Sequence, residues 1–213
     1  MRNRYKISGE YCLGILQNRT PGRIGEENNL HASVLIPLIR EEDGSISVLF
    51  QVRSSKLPEQ PGDICFPGGM SEDCETHQET ALRETCEELL ISPDTIELLG
   101  PSDYLQSGRL QVHPYVGWLH GYGYTYSKDE VKEVFTVPLQ WLLDHEPECH
   151  EMEWKPSLPE TFPFDKIYGG RKYAWRERKS TVFFYEYQGH VIWGMTAKML
   201  EAWIRIIKGE NTR

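Results

Sequence analysis

Two apolar runs, ASVLIPLIR from Ala32 and SISVLFQVR from Ser45, flank the charged EEDG. Runs rich in β-branched residues around an Asp-Gly pair predict a β-hairpin turning at Asp43-Gly44. The next stretch, SSKLPEQPGDICFPGGM, holds too much Pro and Gly for a regular element and reads as an ordered loop. In ETHQETALRETCEELL the spacing predicts an amphipathic helix over 75–90, with Leu82, Thr85, Cys86 and Leu89 on one stripe and Arg83, Glu84, Glu87 and Glu88 away from it. Ser92-Pro93 then disfavours further helix. TIELLG and LQVHPYVGWLH read as strands, KDEVKEVFTVPLQWLLD as a strand leading into a helix, and KSTVFFYEYQGHVIWG as a hairpin turning at Gln188-Gly189. A last helix, from Thr196 to Ile207, carries Met199, Leu200, Trp203, Ile206 and Ile207 at core spacing. Residues 1–30 form a polar, turn-rich N-terminal extension, so the expected domain spans residues 31–208.

Composition changes this picture little. The 213 residues, 39% hydrophobic and 26% charged, suffice for a core without disulfides or a structural metal. The net charge of -9 opposes nonspecific binding to nucleic acid or to an anionic bilayer, so neither is an expected partner. Cys12, Cys65, Cys74, Cys86 and Cys149 include no C-x-x-C pair and no zinc-finger spacing, which predicts reduced thiols. The first residues show no apolar run, and a cytoplasmic location is the expectation. A monomer and a homodimer are both open.

The chemistry concentrates in one segment. Gly69, Glu75, Arg83, Glu84, Glu87 and Glu88 form G-x5-E-x7-R-E-x-x-E-E, an arrangement that chance would place in about 10⁻⁵ of chains this long. On a helix Glu84 and Glu88 share a face, with Glu87 beside them. Carboxylates so placed repel one another unless a cation sits between them, and magnesium or manganese takes such oxygen ligands. A diphosphate ester gains negative charge on its leaving phosphate during hydrolysis, so a divalent cation there suits diphosphate cleavage. Gly68-Gly69 would let backbone pass close to that ion, with the Gly69 carbonyl as a further ligand. Arg83 could pair with Glu75 or with Glu87. His113 reads as a packed, hydrogen-bonded residue, and the other six histidines show no paired spacing.

The six-position pattern resembles the signature of the Nudix hydrolase family. Thr85 stands where that signature has an apolar residue and Leu90 where it has glycine, while Ile91 fits. The resemblance implies an α/β (α+β) Nudix fold: an α/β/α sandwich with a mixed sheet and a catalytic loop-helix-loop. It favours Glu75 and Arg83 as a structural brace, and Glu84, Glu87 and Glu88 as catalytic metal ligands.

A finer likeness reaches the coenzyme A diphosphatases of this superfamily. It rests on Arg53-Ser54, Gly62, Phe66-Pro67-Gly68-Gly69, Gln111-Val112, Pro114, Glu130-Val131, Val134-Phe135, Pro138-Leu139, Ile192-Trp193-Gly194 and Thr196-Ala197. It implies magnesium-dependent cleavage of coenzyme A or acyl-coenzyme A into 4'-phosphopantetheine and adenosine 3',5'-bisphosphate. Pro58 and Gln60 stand where an arginine and a histidine are common, so Arg53 and Lys56 become the candidate substrate cations, with Arg109 and the group Arg171, Lys172, Arg176, Arg178 and Lys179 as further sources of charge. The general base is open between a glutamate of the signature, Glu84 or Glu88 first, and a later acid, of which Glu130, aligned with the family's Glu-Val, comes third, with Asp129 and Glu133 the other late acids. Two other functions stay open: hydrolysis of another nucleoside diphosphate, such as ADP-ribose, NADH or a dinucleotide, and a noncatalytic nucleotide sensor.

Overall fold

The structure, a computed structural model, describes residues 29–210. Most of the N-terminal extension, with Cys12, lies outside them. The elements are β1 (Leu30–Arg40), β2 (Ile46–Arg53), β3 (Ile64–Cys65), β4 (Gly68–Met70), α1 (His77–Leu89), β5 (Ile96–Pro101), β6 (Leu105–Ser107), β7 (Leu110–Leu119), β8 (Val131–Pro138), α2 (Leu139–Asp144), β9 (Glu148–Trp154), β10 (Arg178–Tyr187), β11 (His190–Trp193) and α3 (Gly194–Lys208).

The main sheet runs β3-β2-β1-β7-β5, with β4 also on β1, β6 on β7 and β8 on β2. It is mixed, because β1 and β7 pair in parallel from Leu30 opposite Leu110 to Leu38 opposite Trp118 while the other pairs are antiparallel. Both faces are covered, which is why β1 and β2 read as nearly continuous apolar runs. Leu35, Ile39 and Leu49 point to one side and pack with Leu89 of α1. Ile36, Leu38, Val48 and Phe50 point to the other, joining Leu142 of α2 and Ala197, Leu200 and Trp203 of α3. A second sheet, β11-β10-β9, adds Tyr185 and Ile192 to that side. This is the expected α/β/α sandwich with a mixed sheet.

Three local expectations need correction. The Pro- and Gly-rich segment 54–70 contains the short strands β3 and β4, because its extended backbone finds partners on β2 and β1. The buried stripe of α1 is Thr80, Ala81, Thr85, Glu88 and Leu89, while Leu82 and Cys86 are only half-buried. Glu88 therefore lies inside and not on the solvated face. Strand β9 was not foreseen.

Helix α1 starts at a capping box, directly after its N-cap Thr76. The Thr76 side chain accepts from the Glu79 N–H, and the Glu79 carboxylate accepts from the Thr76 N–H at 2.8 Å. Such a cap contributes about 1 kcal/mol. The helix ends at Leu90, which itself takes the left-handed conformation (φ 54°, ψ 47°) with its N–H on the Cys86 carbonyl. Leucine thus does what glycine usually does, against steric resistance. Because Leu90 is 61% exposed, Leu90→Gly forfeits little burial and should raise stability by about 0.5–1 kcal/mol after the entropy cost of glycine is counted. Urea denaturation of the two proteins checks this.

Candidate functional site

Strand β4 lies beside β1 with Gly69 opposite Ser33, and α1 crosses the same face of the sheet. The two elements meet at glycine: a Cβ on Gly69 would fall 2.5 Å from the carboxyl carbon of Glu84. Gly68 is as tightly held, with φ 150° and a hypothetical Cβ 2.3 Å from the Ser33 carbonyl oxygen. The absence of two side chains is what lets the helix and its carboxylates sit against this loop.

Glu88 is 5% exposed. Its Oε2 accepts from the Gly68 N–H and from Gln51 Nε2, each at 2.8 Å. Burial nevertheless pushes its carboxyl up to about 7, and the charges of Glu84 and Glu130 push the same way. Glu84 is also raised, first by burial, then by Glu87 and Glu130, with Arg83 opposing. Glu87 is the exposed member. Glu87 and Glu130 thus act on Glu84, and Glu84 and Glu130 on Glu88. Glu130 is delivered by the turn before β8, where its carbonyl accepts from the Ser54 N–H. Glu84, Glu87 and Glu88 offer only oxygen donors beside a backbone stripped of side chains, the chemistry that a hard divalent cation takes. Arg83, however, engages Glu84 and Glu87, and the three carboxylates do not converge on one point here.

Arg83 spans both partners considered from the sequence. Its Nε and Nη2 bind Glu75 at 2.6 and 3.0 Å, Nη1 reaches Glu84 at 2.8 Å and Glu87 at 3.3 Å, and Nη2 also donates to the Met70 carbonyl at 3.3 Å. It ties the loop before α1 to the carboxylate face. Hydrogen bonds from Arg83 first, and from the Glu72 N–H, hold the Glu75 carboxyl at about 2 against the usual 4.5. A depressed carboxyl stabilises the fold above its unfolded pKa and loses that contribution as pH falls through the folded one. The stability difference between wild type and Glu75→Gln should therefore be constant above about pH 5 and shrink between pH 4.5 and 2, as read by chemical denaturation at stepped pH. A difference independent of pH would argue against the brace.

Of the candidate substrate cations, Arg53 ends β2 at a bulge, with Nη2 on the Glu59 carbonyl at 3.3 Å and a buried Nε that has no partner among the described residues. Its guanidinium also acts on the Cys65 thiol, which burial and the Glu88 charge push up to about 11. Arg53 and Glu88 thus flank one thiol. Lys56 sits in an exposed pair with Asp129 at 3.0 Å. Lys179 pairs with Glu151 on the second sheet, and Arg171 stacks on Phe164.

The sequence reading missed Gln51, 1% exposed, which orients Glu88 and donates to Cys65 Sγ at 3.6 Å. Its signal was visible: one amide inside the apolar run SVLFQV. His113 is packed and hydrogen bonded as expected, with His31 Nδ1 3.4 Å from its Nε2 and the His77 ring stacked on it. His113 lies with His31 and His77, their ligand nitrogens all within 4.8 Å of one another.

Comparison with known proteins gives three findings. The NUDIX domain family model matches residues 29–158. Peroxisomal coenzyme A diphosphatase NUDT7 of Mus musculus is 41% identical over 114 residues, covering 52% of this chain and 48% of its own length; Nudix hydrolase 3 of Caenorhabditis elegans is 39% identical over 121 residues, covering 54% and 50%. The chain thus spans about half the length of these two relatives. Uncharacterized Nudix hydrolase NudL of Photorhabdus laumondii is 32% identical over 188 residues and aligns along 87% of this chain and 89% of its own. Among solved structures, a C. elegans Ap4A hydrolase binary complex is similar at 18% identity and TM-score 0.45, over 54% of this chain and 84% of that one.

Proposed function

Because the chain belongs to the NUDIX domain family, we propose that it is a Nudix diphosphatase whose Glu84, Glu87 and Glu88, with the Gly69 carbonyl, hold magnesium or manganese, and that it cleaves the diphosphate linkage of coenzyme A or acyl-coenzyme A. The observation that carries this reading is the carboxylate group itself: Glu88 is buried, fixed by Gly68 and Gln51, and in electrostatic contact with Glu84 and Glu130. When bound, the cation supplies charge neutralisation for the diphosphate oxygens and the leaving phosphate. Glu130 accepts the proton of the attacking water. The Arg53 guanidinium, beside Cys65 and near Glu88, supplies positive charge for a phosphate group. Glu75 and Arg83 position the helix and touch no substrate.

Coenzyme A as substrate draws support from the mouse relative, whose name is that of a coenzyme A diphosphatase, and from the Phe66-Pro67-Gly68-Gly69 stretch. Pro58 favours the second reading, another nucleoside diphosphate such as ADP-ribose or a dinucleotide. Cytoplasmic placement accords with the free thiols of Cys65, Cys74, Cys86 and Cys149. Among the described residues no helix is long and apolar enough to cross a membrane.

A substrate panel tests the proposal: coenzyme A, acetyl-coenzyme A, ADP-ribose, NADH and a dinucleoside polyphosphate, with and without magnesium. Magnesium-dependent release of adenosine 3',5'-bisphosphate is the expected result. Turnover of ADP-ribose alone transfers the proposal to the second substrate, and tight nucleotide binding without turnover makes the chain a sensor.

A further inference from the structure

Three histidines far apart in sequence converge at the other end of α1 from the carboxylates. His31 lies near the start of β1, two residues before Ser33 and so on the same face of the strand. His113 of β7 is the parallel partner of Ser33. His77 opens α1, the helix that covers this face. His31 Nδ1 and His113 Nε2 are 3.4 Å apart, and the rings of His77 and His113 lie 3.6 Å apart at an interplanar angle of 10°. His77 Nδ1 is buried with no hydrogen-bond partner among the described residues. A buried nitrogen without a partner is costly unless something unaccounted for meets it.

A four-coordinate zinc-class ion takes imidazole nitrogens at about 2.0–2.1 Å, which sets neighbouring ligand nitrogens about 3.4 Å apart. One pair here already has that separation, and all three ligand atoms lie within 4.8 Å. The three rings lie nearly parallel, so to hold an ion His77 has to turn out of its stack on His113 until the in-plane lone pairs converge.

We propose that His31, His77 and His113 form a three-imidazole site for a zinc-class divalent ion, distinct from the carboxylate cluster, with a fourth position open to water or an anion. Nitrogen ligands select zinc, cobalt, nickel or copper over magnesium. His77 and Glu84 are seven residues apart, about 10 Å along the helix, too far for one ion to serve both. A metal here would pin the N-terminus of α1 to β1 and β7, and so fix the orientation of the helix that carries Glu84, Glu87 and Glu88.

The test is calorimetric titration of chelator-stripped protein with zinc chloride under saturating magnesium, repeated for His31→Gln, His77→Gln and His113→Gln. Glu87→Gln/Glu88→Gln and Cys74→Ser serve as controls for carboxylate or thiolate capture. One equivalent of zinc bound by the wild type, unchanged in both controls and weakened at least about tenfold in each folded histidine variant, is the expected result. No uptake, binding indifferent to the histidines, or binding lost in either control overturns the proposal. Should the histidine variants fail to fold, cobalt(II) absorption of the wild type decides. Intense visible bands of a four-coordinate ion without thiolate charge transfer support the site. A six-coordinate or thiolate spectrum overturns it.

Discussion

Glu88→Gln lowers the turnover rate by about two to four powers of ten and leaves the protein folded. The arrangement around the carboxylate separates these two effects. Both hydrogen bonds that hold Glu88, from Gly68 and from Gln51, end on Oε2. A glutamine can place its carbonyl oxygen there, keep both bonds, and turn its amide toward the space formerly faced by Oε1. What disappears is a negative charge in a buried position, where charge acts most strongly. Because burial and the charges of Glu84 and Glu130 already oppose ionisation of Glu88, its removal costs the fold little and can stabilise it. Steady-state kinetics and a thermal melt on the same preparation read both quantities. Glu87→Gln should show a similar rate loss, since Glu87 is exposed and contributes charge with little packing.

The second large effect separates two adjacent glycines. Gly69→Ala would set a methyl group 2.5–2.6 Å from the carboxylate oxygens of Glu84. The end of a glutamate can swing aside, so stability changes modestly, but Glu84 leaves its place among the acids. A displacement of about 1 Å in such a site costs on the order of 10² in rate. Gly68→Ala meets backbone instead: its Cβ would lie 2.3 Å from the Ser33 oxygen and 2.6 Å from the Val34 Cα, at a φ of 150° that other residues rarely adopt. Strain and overpacking together should cost about 2–5 kcal/mol. Urea denaturation paired with kcat/KM distinguishes the variants: Gly69→Ala loses rate with nearly wild-type stability, and Gly68→Ala loses stability first.

The legible parts of the molecule were those whose signals are local. The hairpin at Asp43-Gly44, α1 and α3 announce themselves through turn residues and apolar spacing, and the carboxylates of α1 follow a pattern within twenty residues. The burial of Glu88 was hidden because the groups that hold it lie 37 and 20 residues away. The periodicity of α1 misled for the same reason: a buried, hydrogen-bonded glutamate takes a place that an apolar side chain would otherwise fill. Strand β9 escaped notice because ECHEMEW alternates over only its last four residues, holds no β-branched residue and buries none of its side chains. The histidine group was invisible in the sequence, since parallel pairing of β1 with β7 joins positions 82 residues apart. Gln51 alone gave a signal that went unused: polarity in the middle of a buried strand.

The central claim is that Glu84, Glu87 and Glu88 act as one divalent-ion site. Electron paramagnetic resonance of manganese(II) added to chelator-stripped protein tests it most directly, because free and bound ion differ in signal. The account predicts that the wild type depletes the free manganese signal, that added magnesium restores it, and that Glu87→Gln/Glu88→Gln leaves it at full intensity. Equal depletion by the wild type and by the doubly substituted, folded protein would contradict the account.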